Sequence, residues 1–98
     1  MTENETGGVN KDKLAVALGY ERESDTAPRV LAKGKGHIAD QIIAIARAQG
    51  IEIREDRDLA RLLALVDIDA PIPMEAYVAV AEILAYIYRK NAEMGQKS

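Results

Sequence analysis

The longest amphipathic segment of the chain, from Met74 to about Asn91, limits the possible folds more than any other feature. Pro73 precedes it and suits the first turn of a helix, where its missing N–H would have no partner. A helix of this kind has to bury its apolar face against other elements, and a chain of 98 residues has the length of one domain. We therefore predict a single domain packed against this helix. Its apolar face is formed by Tyr77, Val80, Ala81, Leu84, Ile87 and Tyr88.

Two short strands and a helix are predicted in the first half of the chain. The apolar run KLAVALGY, from Lys13 to Tyr20, has charged flanks and the length of a buried strand. Pro28 favours an extended approach into a second strand, Arg29 to Ala32, which we expect to end at the glycines that follow. The next segment, HIADQIIAIARAQG, is predicted to be a helix that ends at Gly50. Its apolar face is expected to contain Ile38, Ile42, Ile45 and Ala46.

The chain after this helix completes the predicted fold. Ile51 to Arg54 alternates apolar and polar residues, which predicts a third strand joined to the second by a right-handed parallel crossover. Acidic residues, including Asp56, precede a short helix at Leu59 to Leu63, and a turn over Asp67 to Pro73 separates it from the last helix. We therefore predict an α+β fold in which a small mixed β-sheet is packed by about three helices. The domain is expected to span residues 12–92, with a flexible tail at 1–11 and a frayed end at 93–98.

The composition excludes several kinds of function. There is no Cys, so disulfides and thiolate zinc sites are excluded, and a reducing cytoplasm fits best. The first residues show no signal-peptide pattern, and no apolar run approaches the ~20 residues of a membrane helix. A net charge of -3 argues against a general nucleic-acid binder. With no Phe or Trp, the core has to be built from Ile, Leu, Val and Ala, and the four Tyr are its only large rings.

No catalytic, metal or cofactor site is predicted from the residues. His37 is the single His and is expected to face solvent in the first turn of its helix, so no catalytic triad can be proposed. Asp67 and Asp69 form a D-x-D pair without the further oxygen ligands that magnesium or calcium requires. The basic turn before the helix lacks the Walker pattern of phosphate-binding loops. One alternative stays open, an anion- or RNA-binding site formed by Arg29, Lys33, Lys35 and His37.

Four segments of the chain, in this order, resemble a known family: LAVALGY, APRVLAKGKG, LARLL and IPMEAYVAVAEILAYIY. They extend from about Asn10 to Arg89, and their combination is similar to the cytoplasmic domain of the FlhB/YscU/SpaS family of flagellar and type III secretion export switch proteins. The resemblance implies the fold predicted above and a non-enzymatic role at the export gate, where the domain docks early export substrates. It also implies a cytoplasmic location, including a peripheral one at the membrane export apparatus. From the hydropathy and the net charge, we expect neither insertion in the membrane nor a nucleic-acid partner.

Members of that family cleave themselves at an N-P-T-H loop between the first two strands of the domain, by attack of the Asn side-chain amide on its own carbonyl. The corresponding residues here are Asn10, Lys11, Asp12 and Lys13, so the proline, threonine and histidine are missing. Self-cleavage is therefore not expected, although a self-cleaving switch protein stays an alternative function. The chain lacks a membrane region and begins near the position of the cleaved C-terminal fragment. We expect it to be a counterpart of that fragment made as a separate polypeptide.

The resemblance further implies a surface that binds partners. The apolar contact surface of the family domain would correspond to Ala27 and Pro28 at the second strand and to Ala81 and Leu84 on the last helix. From the helix periodicity alone, Ala81 and Leu84 could equally be core residues. We expect a binding module whose partners are rod- or hook-type export substrates and export-gate proteins.

Overall fold

The computed structural model describes residues 11–21 and 27–96, which form two strands and three helices. The predicted α+β fold with three helices is confirmed. The helix predicted to end near Asn91 continues further, and residues 1–10 of the predicted tail lie outside the described residues. The elements are β1 (Leu14–Gly19), β2 (Arg29–Lys35), α1 (His37–Ala48), α2 (Arg57–Leu63) and α3 (Met74–Gln96).

β1 and β2 form an antiparallel hairpin, whereas the sequence predicted a mixed sheet. The register passes over Leu31, because its neighbours Val30 and Ala32 lie opposite Leu18 and Ala17. An extra residue of this kind is a β-bulge, which increases the local twist of the strand. Since alternate side chains point to opposite sides of a strand, one side of the hairpin faces α1 and the other faces α2 and α3.

The turn from β2 into α1 lies at Gly36 and not at the preceding glycine. β2 continues through Gly34 to Lys35, beyond its predicted end at Ala32. Gly36 has φ 63° and ψ -124°, a backbone conformation that residues with a side chain rarely adopt. Its N–H donates to the carbonyl of Lys13 at 2.9 Å, which ties the turn to the start of the hairpin.

Residues 51–56 have no regular secondary structure, so the predicted third strand at Ile51–Arg54 is wrong. This segment is attached to α3, where the carboxylate of Glu52 pairs with Lys90 Nζ at 3.2 Å. The hydrogen bond from Lys90 to Glu52 and the negative charge of Glu52 raise the pKa of Lys90, because both favour the protonated amine. The short alternating pattern of this segment is thus not sufficient to form a strand.

The edge of β2 is closed by the proline-containing segment before α3. The N–H of Val30 donates to the carbonyl of Ala70 at 3.1 Å, and the N–H of Ile72 donates to the carbonyl of Pro28 at 3.0 Å. Pro71 forms an isolated bridge to the same strand. A parallel strand after α1 would need these backbone groups of β2, which explains why the hairpin is not extended at this edge.

α1 packs on a side of the hairpin that is built from small residues. Gly34 lies opposite Ala15 on this side, and the side chain of Ile38 covers Gly34. The close approach buries Ala39 completely but leaves Ile38 50% and Ile45 57% exposed. The predicted apolar face of this helix is therefore only partly buried, because the helix turns Ala39 toward the hairpin.

The other side of the hairpin faces the core, which is small and aliphatic. Asp56 fixes the start of α2 beside this core, since its carboxylate accepts the N–H of Leu59 at 3.1 Å, in agreement with the predicted cap. α3 contributes two of the fully buried side chains, which sets its rotation about its own axis. The buried cluster contains Val30, Leu63, Ile72, Ala76 and Val80, with Val16, Leu18, Leu59, Leu62, Val66 and Leu84 half-buried around it.

Candidate functional site

An apolar groove lies between the loop end of the hairpin and α3, with a volume of about 230 Å³. Pockets for small-molecule ligands usually enclose about 300 to 1,000 Å³, so this groove is suited to one or two side chains of a partner. Its lining residues are Tyr20 and Pro28 from the hairpin, and Tyr77, Ala81, Leu84, Ala85 and Tyr88 from α3.

The hairpin wall of the apolar groove is held in place by backbone hydrogen bonds. Tyr20 directly follows β1, and the pairing of Gly19 with Arg29 brings it beside Pro28. Pro28 is buried, and its carbonyl accepts the N–H of Ile72 at 3.0 Å. Because the proline ring also fixes φ, this wall has little freedom to move when a ligand binds. The wall is therefore preformed.

The α3 wall comes from the helix face next to the core face. Val80 is 2% exposed and anchors α3 in the core, so the adjacent face is held toward the groove. Ala81 and Ala85 are exposed and lie between Tyr77 and Tyr88 along the helix. Small side chains at these two positions leave space between larger ones, which creates the depression.

Three of the four predicted contact residues meet at the apolar groove. Pro28, Ala81 and Leu84 line it, whereas Ala27 is half-buried beside Pro28 and is not part of the lining. Ala81 is exposed and is not a core residue. Leu84 packs against the core cluster and also lines the groove.

Three tyrosines of the groove, Tyr20, Tyr77 and Tyr88, were expected to be core rings. Tyr77 is 38% exposed, so its ring is shared between the protein and solvent. Helical spacing places Tyr77 and Tyr88 on the same face as Ala81, but the sequence does not show which part of that face the hairpin covers. A large, stiff ring with a polar hydroxyl suits a half-exposed binding surface.

The basic residues of the alternative anion site divide into two groups, because Arg29 and Lys33 bind other elements of the fold whereas Lys35 and His37 line one depression. Lys33 Nζ donates to the carbonyls of Ala64 and Val66 at 3.0 and 2.7 Å, so it binds the end of α2. Arg29 Nη1 donates to the carbonyl of Asp69 at 2.8 Å. These two cations therefore hold elements of the fold together. A separate depression at the start of α1, of about 440 Å³, is lined by Lys11, Lys35, Gly36 and His37.

The residues that correspond to the cleavage motif lie at the edge of the described part of the chain. Asn10 is outside it, Lys11 and Asp12 form a turn, and Lys13 Nζ pairs with Asp40 at 2.8 Å. Within residues 11–21 and 27–96, no group of three or more His, Cys, Asp or Glu side chains comes together as a metal site would need. In the same ranges, no helix combines the length and the apolar character needed to cross a membrane.

Residues 9–87 match the FlhB HrpN YscU SpaS Family. YlqH of Bacillus subtilis (strain 168) is 46% identical over 85 residues, which cover 87% of this chain and 91% of YlqH. The flagellar biosynthetic protein FlhB of the same organism is 42% identical over 87 residues, which cover 88% of this chain and 24% of FlhB. The chain therefore spans about a quarter of the length of this FlhB relative.

The structural comparisons agree with the sequence matches. The cytoplasmic domain of FlhB from Shewanella putrefaciens has a TM-score of 0.77 and 32% identity, over 90% of this chain and 72% of that chain. The PscU C-terminal domain has a TM-score of 0.70 and 31% identity, over 76% of this chain and 95% of that chain. The chain belongs to the FlhB HrpN YscU SpaS family of flagellar and type III export switch proteins and has the fold of their cytoplasmic domain.

Proposed function

We propose that this chain is a docking module of flagellar or type III protein export, in which the apolar groove binds a short apolar segment of an export substrate. The observation that carries the proposal is the meeting of Pro28, Ala81 and Leu84 in one preformed groove of a chain from the export switch family. A groove of about 230 Å³ accepts one or two side chains, which an unfolded segment can present singly. Rod- and hook-type substrates are the proposed ligands.

The size of the groove implies weak and reversible binding. Burying one large apolar side chain contributes about 1.5 to 3 kcal/mol. The ligand loses translational freedom and becomes ordered, which offsets much of this gain, while the preformed wall at Pro28 adds no ordering cost. Two buried side chains contribute about 3 to 6 kcal/mol before this offset, so the net affinity is expected to lie roughly in the millimolar range. Weak binding suits a docking step, because each substrate has to leave before the next one arrives.

The chain acts, in this proposal, by binding and not by catalysis. Its site of action is the cytoplasmic side of the export apparatus, where export-gate proteins are further partners. This role concerns the docking part alone, since the chain spans about a quarter of its FlhB relative.

Binding of a purified rod- or hook-type substrate to the full chain tests the proposal. Ala81→Asp places an unpaired charge in the apolar groove, and Ala81→Trp fills it. Either change should weaken binding by more than about 1 kcal/mol, roughly fivefold in affinity. Because Ala81 is exposed, both variants should keep the parent's circular dichroism spectrum and melting curve.

Ala44→Asp is the matched control, because Ala44 is also an exposed helical alanine but belongs to α1, on the other side of the hairpin. This variant should bind the substrate as tightly as the parent. Undiminished binding by a folded Ala81→Asp variant would exclude the apolar groove as the docking site. An equal loss of affinity with Ala44→Asp would do the same.

A further inference from the structure

The apolar groove continues along α3 as an exposed stripe formed by Met74 and Val78. Met74 is 83% and Val78 69% exposed. Val78 lies one helical turn after Met74 and one turn before Ala81, so the stripe joins the groove without interruption. From Met74 to Tyr88 the apolar track is roughly 20 Å long, from the rise of an α-helix. A ligand that occupies the groove therefore also lies close to the stripe.

Two glutamates border the stripe on one side. Glu75 and Glu82 are exposed and two helical turns apart, and Val78 lies between them. Neither carboxylate forms an ion pair with any residue in the part of the chain that the structure describes. Two negative charges that have no ion-pair partner among the described residues thus stand beside an apolar surface.

On the opposite wall of the groove, the charged residues within 11–21 and 27–96 are engaged within the molecule. Glu21 follows Tyr20 and Arg29 follows Pro28 in the chain, and each of these two charged residues has an interaction inside the protein. Arg89 lies two turns beyond Glu82, at the far end of the track. The charge offered to a ligand is therefore negative along the stripe.

We infer that the groove and the stripe select segments in which large apolar residues are accompanied by Lys or Arg, and that Glu75 and Glu82 determine this specificity. The ligand is an unfolded, basic and apolar segment of an export substrate, with its cation against the two carboxylates. The inference rests on the proposed docking function and adds the chemistry of the ligand. An acidic segment of equal apolar content is disfavoured, because its carboxylates would meet Glu75 and Glu82.

The expected discrimination is modest and depends on salt. An exposed ion pair changes affinity by about two- to fivefold at low ionic strength. The Debye length falls from about 10 Å at 0.1 M salt to about 3 Å at 1 M, so the preference for basic segments should fade while apolar binding persists. Apolar contact thus supplies most of the binding free energy, and the two glutamates favour the segments that carry Lys or Arg.

Selection from a random peptide library displayed on phage, with the full chain as the bait, tests the inference. Peptides enriched by the parent should combine large apolar residues with Lys or Arg and should be depleted in Asp and Glu. Glu82→Lys should remove or reverse the charge preference and keep the apolar one. Ala81→Trp should enrich neither kind, because the groove is filled.

Glu55→Lys is the matched control for the change in charge. Glu55 is exposed and belongs to the segment that Glu52 attaches to Lys90 of α3. Lys90 lies on the opposite side of the helix from Ala81, so this segment is away from the groove. This variant should keep the parent's preference. For one enriched peptide, Glu in place of its basic residue should weaken binding to the parent about two- to fivefold at low salt and strengthen binding to Glu82→Lys.

The outcomes separate this inference from the docking function on which it rests. Apolar peptides enriched without any preference for basic residues, and lost with Ala81→Trp, would leave the docking function standing and overturn the role of the glutamates. Identical consensus peptides from the parent and from Glu82→Lys would also overturn the role of the glutamates and leave the docking function standing. No enrichment by the parent above that of Ala81→Trp would refute both.

Discussion

Replacing Gly34 by Ala tests the close packing of α1 on the hairpin. A Cβ atom on Gly34 would lie 2.6 Å from the Cβ of Ile38 and 3.2 Å from its carbonyl carbon. Carbon atoms attract best at about 3.5 to 4.0 Å, so the first turn of α1 would have to lift by roughly 1 Å. A change of rotamer at Ile38 cannot relieve the overlap, because neither of these two atoms moves when χ1 rotates.

Two opposing effects determine the magnitude of the Gly34→Ala change. Alanine inside a strand is normally more stable than glycine by about 0.5 to 1 kcal/mol. Overpacking costs about 1 to 3 kcal/mol, and the short turn at Gly36 leaves α1 little room to shift. We expect the overlap to dominate, with a net loss of about 1 to 2 kcal/mol in the free energy of unfolding. For a domain of this size, the melting temperature should fall by roughly 5 to 15 °C.

Thermal and urea unfolding followed by circular dichroism measures this loss. The added Cβ also overlaps the Cγ2 atom of Ile38, which Ile38→Ala removes while it keeps the Ile38 Cβ and carbonyl carbon. The double variant should therefore recover part of the loss, but not all of it, relative to the sum of the two single changes. Gly50→Ala is the control, because an added Cβ there meets nothing within 4 Å and only the φ of 72° is unfavourable. Its cost should not depend on Ile38. A Gly34→Ala variant that melts at or above the parent's temperature, or that adds simply with Ile38→Ala, would refute the packing argument.

Three further predictions concern a helix end, a positive φ and the cleavage motif. Lys33→Met should lower the free energy of unfolding by about 1 to 3 kcal/mol, because two carbonyls at the end of α2 lose a charged donor. A urea titration measures the loss, and a midpoint equal to the parent's would show that the hydrogen bonds add nothing. Gly50→Val should cost about 1 to 2 kcal/mol through strain at positive φ, and an unchanged melting temperature would contradict it. With Lys11 after Asn10, intact-mass spectrometry after days at neutral pH should show one species, whereas a fragment beginning at Lys11 would reveal self-cleavage.

The helices could be predicted from the sequence because their signals are local. Pro73 precedes α3, Gly50 follows α1, and Asp56 caps α2. The path of residues 51–54 could not be predicted in this way, since it depends on which segment reaches the edge of β2. The backbone N–H of Val30 is already bonded to the segment before α3. Two segments distant in sequence compete for the edge of β2, and a pattern of four residues does not show which of them binds there.

The candidate site was predictable only in part, for a similar reason. Pro28, Ala81 and Leu84 were named through the family resemblance, and they line one groove. Periodicity alone could not separate the groove face of α3 from its core face, because both faces are apolar. Val80 is buried and the neighbouring Ala81 is exposed, and the position of the hairpin decides between them. The groove tyrosines are expected in the core on composition alone, because the chain has no Phe or Trp.

One face of α3 packs in the core and the adjacent face lines the apolar groove, so the groove exists only when the chain is folded. Binding of a ligand in the groove therefore shifts the folding equilibrium toward the folded form. A ligand that binds only the folded form stabilises it by about 0.4 kcal/mol at a concentration equal to its Kd. Domains have a total stability of about 5 to 15 kcal/mol, so a weakly bound ligand adds a small increment. Proteases act on the unfolded form, which becomes rarer while the groove is occupied. In the proposed docking role, we therefore expect the lifetime of the chain to lengthen slightly when its ligand is plentiful and to shorten when the ligand is scarce.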